Sequence, residues 1–139
     1  MKIAEVMTRG VDLTDPDATL QEAAMTMAED DVGFLPVGEN DRVVGMITDR
    51  DIAVRAVAAG RDPKTTRVRE VMTDRVLYCF EDEEIEMAAE SMSRDHVRRL
   101  PIVNRRKRLV GVVSLGDIAV KHNHAEAGRA LFGVCHAAV

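Results

Sequence analysis

The sequence predicts an α+β protein built from two pseudo-symmetric repeats, each running helix, strand, helix, strand, strand, helix, packed through their small sheets into one compact module. Three observations predict it. "IAEVMT" from Ile3 returns as "VREVMT" from Val68, and "VGMITDRDIAVRA" from Val44 returns as "VGVVSLGDIAVKH" from Val110. Between these anchors Leu20, Val32, Leu35 and Pro36 meet Ile85, Val97, Leu100 and Pro101 at a constant offset of 65 residues. After the next turn Gly45, Thr48 and Asp51 meet Gly111, Ser114 and Asp117 at an offset of 66, so one turn has gained a residue. Self-similarity at a fixed period marks one supersecondary unit used twice.

Each element has a local reason. A short opening helix holds Ile3 and Val6. "GVDLT" after it reads as a strand, and its counterpart "RVLYCF" is richer in strand formers. Thr19 stands three residues before Glu22, a capping-box start, and the apolar positions 20, 23, 24 and 27 share one helix face. Ile85, Ala88, Ala89 and Met92 repeat that stripe. "FLPV" and "VVGMIT" flank the turn "GENDR", as "LPIV" and "LVGVVS" flank "NRRKR", and each pair reads as adjacent strands. A last helix starts near Asp51 or Asp117. The repeats are expected over 1–60 and 67–122, joined by a linker at 61–66 around Gly60 and Pro63. In the tail, 123–139, Ala127, Leu131, Val134 and Cys135 with Phe132 beside them suggest an amphipathic helix that packs on the module or on a second subunit.

Composition narrows the function. The chain has 139 residues, 46% of them hydrophobic, with no apolar run near the roughly 20 residues needed to span a bilayer. Its start, "MKIAEVMTRG", lacks the apolar stretch of a secretory signal, so a cytoplasmic protein away from the membrane is expected. Two cysteines, Cys79 and Cys135, indicate no disulfide scaffold. A net charge of −5 argues against nucleic acid as a partner, because phosphate binding wants a basic face. The methionines mostly fall on apolar faces, where filling the core is their default role.

"EVMT", the "LPV" or "LPI" step and the Gly-apolar-apolar-[Thr/Ser]-x-x-Asp cassette, in order and twice over, resemble tandem CBS motifs, named for cystathionine beta-synthase and paired in a Bateman module. The resemblance covers about residues 1 to 122, and the chain is similar to small stand-alone bacterial CBS-pair proteins, including the hypoxic-response type. It implies a regulatory module that binds an adenine nucleotide or related adenosyl ligand in clefts between the repeats, a homodimer, and a regulated partner protein.

The cassette suits such a ligand. A hydroxyl at a strand end can hydrogen-bond phosphate, and a carboxylate three residues on can accept from both hydroxyls of a ribose. By the resemblance, Asp51 and Asp117 take the ribose and Thr48 and Ser114 the phosphate, while Ile47, Val113, Pro36 and Pro101 enclose the base. The competing reading makes Asp a first-turn cap and Thr a common strand end; of these two groups, only the carboxylate is needed for capping. The copies differ where phosphate would lie. Arg98 and Arg99, after His96, stand where the first copy has Gly33 and Phe34, and arginine binds phosphate in a bidentate fashion. If either arginine faces the cleft, one site is much the stronger; otherwise they are solvated strand-edge charges. Arg50 and Arg55 are weaker candidates, and "NRRKR" reads as an exposed turn.

No catalytic residue is expected, since no nucleophile elbow, Walker loop, Rossmann fingerprint or His-Glu-x-x-His appears. His122, His124, Cys135 and His136 lack a zinc spacing, and no metal is expected. AMP, ADP, ATP, NAD, S-adenosylmethionine and a cyclic dinucleotide all remain open as ligands. A ligand-free dimeric interaction module is the alternative.

Overall fold

The computed structural model describes residues 1–136. It divides into two compact units, and neither follows the sequence repeats throughout. The first unit is Asp12–Val76; the second joins Met1–Val11 to the chain from Leu77 onward. Each opening "EVMT" segment therefore belongs with the body of the other repeat.

The first unit contains α1 (Leu20–Asp30), β1 (Phe34–Glu39), β2 (Arg42–Thr48) and α2 (Asp49–Asp51), which runs on as a π-helical stretch over Ile52–Val57. Thr19 caps α1, its hydroxyl accepting from the Glu22 N–H at 3.2 Å. Leu20, Ala23 and Met27 are buried; the stripe is narrower than expected, because Ala24 is exposed. β1 and β2 form an antiparallel hairpin whose turn residues Asn40 and Asp41 both have positive φ, 55° and 63°. That is the left-handed pair a two-residue hairpin turn requires, and Asn and Asp tolerate it. "GVDLT" is not a strand. It contributes one parallel bridge, Thr14 to Val37, where one was expected to run along the sheet. On the other side of the hairpin Thr73 bridges Met46. A 3₁₀ turn at Val68–Glu70 buries Val68, which joins Leu20, Leu35, Val37, Ile47 and Val71 in the core.

The second unit repeats this plan. It opens with a 3₁₀ turn at Ile3–Glu5 and continues with β3 (Cys79–Phe80), α3 (Ile85–Asp95), β4 (Arg99–Val103), β5 (Leu109–Ser114), α4 (Leu115–Lys121) and α5 (His124–His136). Only Cys79 and Phe80 of "RVLYCF" pair, parallel to β4. Thr8 bridges Val112 as Thr73 bridges Met46. The Ile85, Ala88, Ala89 and Met92 stripe is buried as expected, beside Ile3, Val6, Leu100, Ile102, Val113 and Ile118.

Two glycines make the "EVMT" pairing feasible. A Cβ on Gly111 would stand 2.8 Å from the Thr8 carbonyl oxygen, and one on Gly45 would stand 2.6 Å from the Thr73 carbonyl oxygen. The repeated glycine is thus the floor on which each "EVMT" segment lies.

The tail forms the expected helix and packs on the module, but through smaller residues. α5 buries Ala127 and Ala130 against α3 and α4, and a Cβ on Gly133 would collide with Ser93 of α3. Of the expected face, Ala127 is buried and Val134 half-buried, while Leu131 and Cys135, with Phe132 beside them, are exposed in the single chain. Small side chains let two helices approach closely, so alanine and glycine, not the larger residues, define the contact.

Candidate functional site

Both hairpins end on a hydroxyl and pass into a helix within three residues. Thr48 closes β2 and Ser114 closes β5 in nearly the same extended conformation, φ −118° and −120°. The Thr48 hydroxyl accepts from the Asp51 N–H at 3.0 Å, and Asp51 Oδ2 accepts from the Thr48 N–H at 3.0 Å. Ser114 and Asp117 reproduce both bonds at the same lengths. This is a reciprocal capping box with aspartate in the acidic position. The hydroxyl therefore shares in the cap, a correction to the expectation that capping needs the carboxylate alone.

Each cap leaves one carboxylate oxygen uncommitted by these bonds. Asp51 Oδ1 stands 3.8 Å from Arg55 Nε, and Asp117 Oδ1 stands 4.0 Å from Lys121 Nζ. Both distances exceed a hydrogen bond. The two cations donate elsewhere: Arg55 Nη1 to the Val71 carbonyl and Lys121 Nζ to the Val6 carbonyl, each at 3.2 Å. Val6 and Val71 are the same residue of "EVMT", so each cap is tied to that segment by an equivalent cation. Lys121 escaped the sequence reading although its spacing from Asp117 equals that of Arg55 from Asp51. The aspartate side chains are 15% and 19% exposed, shielded yet within reach of solvent.

The other candidates are distributed as follows. Ile47 and Val113 are fully buried in the cores of their units. Pro36 and Pro101 are buried opposite Met46 and Val112. Arg98 and Arg99 are exposed, and Arg99 pairs directly with Ser114 across the hairpin. In the first unit Phe34 pairs with Thr48. His96 ends α3 in the left-handed conformation, φ 59°, as Asp31 ends α1 at 54°.

The basic turn is braced within its own unit. Arg105 makes a two-point pair with Asp82 at 2.8 and 2.9 Å, lies over the Phe80 ring at 4.2 Å, and holds the Asp82 carboxyl below its usual range. Asn104 accepts from the Arg106 and Arg108 N–H groups. A depression of about 550 Å³ in the second unit is lined on α3 and α5 by groups of both signs, among them Glu86, Arg94, Glu126 and Arg129, and by no cap residue. His122 Nε2 lies 3.3 Å from Glu86 Oε1, and the His136 ring stacks on Phe132 with centroids 4.6 Å apart. Among the described residues no three histidine, cysteine or acidic side chains converge as a metal site, and no helix is long and apolar enough to cross a membrane.

The model of the CBS domain matches residues 3–57 and again 68–121. The chain belongs to the CBS domain family. CBS domain-containing protein YhcV of Bacillus subtilis is 42% identical over 135 residues, covering 96% of this chain and 95% of that protein. The crystal structure of Hypoxic Response Protein I, which holds two coordinated zinc ions, matches with a TM-score of 0.79 at 37% identity, over 87% of this chain and 98% of the other. The CBS domain pair of protein MJ0100, solved with 5′-methylthioadenosine and S-adenosyl-L-methionine, matches with a TM-score of 0.77 at 27% identity, over 86% and 93%. The chain is thus a CBS pair, a class of regulatory module, with the two small sheets of that fold.

Proposed function

We propose that this CBS pair is a ligand-sensing module that binds an adenine nucleotide or related adenosyl ligand at its two caps and signals through a change of conformation or of dimer geometry. The observation that carries the reading is the Oδ1 of Asp51 and of Asp117, outside the capping hydrogen bonds and at ion-pair distance from a cation, beside a hydroxyl, in the same geometry twice. Each aspartate would accept from a ribose hydroxyl and each hydroxyl would face the phosphate side. The adenosyl ligands of the MJ0100 pair support the ligand class. Binding acts by differential affinity: the conformation that holds ligand better gains population, and a partner distinguishes the two. No step of this requires catalysis, and the module works as a homodimer.

A second reading, a ligand-free dimeric interaction module, draws on the exposed apolar side chains Met25, Val54 and Val57 of the first unit, 52–64% exposed. Thermal shifts with AMP, ADP, ATP, NAD, S-adenosylmethionine and a cyclic dinucleotide separate the two. A ligand at about 100 times its dissociation constant adds ~2.7 kcal/mol of stability. A clear rise with one adenosyl ligand is the expected result; no rise with any of the six leaves the interaction module standing.

A further inference from the structure

We propose that the two caps are charge-selective: Ser114 and Asp117 of the second unit take a phosphate-bearing adenosine, whereas Thr48 and Asp51 of the first take an adenosyl ligand without phosphate, neutral or cationic at its 5′ end. This rests on the adenosyl reading above and divides its ligand class between the sites. The caps share hydroxyl, carboxylate and hydrogen bonds; they differ in the seats around them.

Directly paired residues of an antiparallel hairpin project to the same face, with Cβ atoms about 4.5–5.5 Å apart. Arg99 is paired with Ser114 and exposed, so its side chain rises beside the hydroxyl that would face phosphate. Arg98, also exposed, precedes it. A guanidinium makes two parallel bonds to phosphate oxygens and stays charged at every relevant pH.

In the first unit the seat opposite Thr48 belongs to Phe34, which is 6% exposed and has no donor. One residue earlier, where the second unit has Arg98, stands Gly33. The space in which a side chain would begin there is held by a carboxylate: a Cβ on Gly33 would meet Asp49 Oδ2 at 2.6 Å. The counterpart of Asp49 is Leu115. Even counting the exposed Arg50, whose counterpart is Gly116, these four seats carry no net charge in the first unit and two positive charges in the second. A phosphate brought to the first cap meets the Asp49 carboxylate without an arginine from the strand, while an uncharged or cationic 5′ group meets no penalty.

The test is calorimetric titration of the full chain with AMP and with adenosine, for the wild type and for Asp51→Asn, Asp117→Asn, Arg99→Met, Arg99→Lys and Asp49→Asn. AMP binding is expected to weaken in Asp117→Asn and to persist in Asp51→Asn. Arg99→Met weakens AMP about tenfold and changes adenosine less than about twofold, with partial recovery in Arg99→Lys. Asp49→Asn strengthens AMP at the first cap, read in the Asp117→Asn background. The charge assignment is overturned if the aspartates matter but Arg99→Met leaves AMP unchanged, if it weakens AMP and adenosine alike, or if AMP follows Asp51. A wild type that takes up neither AMP nor adenosine also overturns the charge assignment; the adenosyl reading fails with it only where the six-ligand thermal panel is silent too, or where both aspartate variants leave both isotherms unchanged.

Discussion

Asp117 has two roles in this account, and alanine and asparagine separate them. Asp117→Ala removes the acceptor of the Ser114 N–H at 3.0 Å and half of the capping box. Loss of such a cap costs about 1 kcal/mol, within a usual range of roughly 0.5–2. For a chain of this size that lowers Tm by about 3–5 °C without ligand. Asp117→Asn keeps an amide oxygen to accept from Ser114 but loses the charge, so its ligand-free Tm stays close to wild type. The two are then compared with AMP at a concentration about 100 times the wild-type dissociation constant, where the wild type gains ~2.7 kcal/mol. Replacing a charged acceptor of the ribose by a neutral one weakens binding about tenfold, and the gain falls to ~1.4 kcal/mol. Differential scanning fluorimetry reads both quantities from the same samples. A ligand shift in Asp117→Asn equal to wild type would refute the carboxylate's contact with ribose. A ligand-free Tm in Asp117→Asn as low as in Asp117→Ala would refute the capping account.

Two further outcomes test the packing. Gly45→Ala and Gly111→Ala press a methyl group onto the Thr73 and Thr8 carbonyls, and each should cost about 1–3 kcal/mol in urea unfolding at unchanged m-value; Gly128→Ala, where nothing lies within 4 Å, should not destabilise, and equal behaviour of all three would refute the close-approach argument. Cys79 is 4% exposed and burial pushes its thiol up, whereas Cys135 is exposed, so an aromatic disulfide reagent should titrate one thiol quickly in the native protein and the second only on unfolding; two fast thiols would contradict the placement of Cys79 in the core.

What the sequence made legible is what periodicity encodes. The stripe Ile85, Ala88, Ala89, Met92 and the paired runs around "GENDR" and "NRRKR" are sets of apolar side chains at fixed spacing, and burial follows from spacing. "GVDLT" failed as a strand because strand residues are held by partners along the ladder, and only Thr14 finds one. In the tail the helix and Ala127 on its packed face were legible, but the rest of the contact was not. Spacing grouped Leu131 and Cys135 with Ala127, whereas the helix contact is set by how closely Ala127, Ala130 and Gly133 let α5 approach α3. The exchange of the opening segments was also hidden, since a repeat seen in one dimension does not say which copy of "EVMT" lies on which hairpin.

The cassette itself was legible as residue types but not as unspent valence. A hydroxyl and a carboxylate three residues apart satisfy each other when the chain turns into a helix, and the repeated motif is equally well explained by that mutual capping. What distinguishes a site from a cap is the oxygen left over and what surrounds it. Asp51 Oδ1 and Asp117 Oδ1 each stand beside a cation that has given its hydrogen bond to a "EVMT" carbonyl. In the proposed function, a ligand that engages either oxygen would act on that cation and so on its bond to Val71 or Val6. Arg55 and Lys121 are thus the side chains through which that proposal would join each cap to its "EVMT" segment.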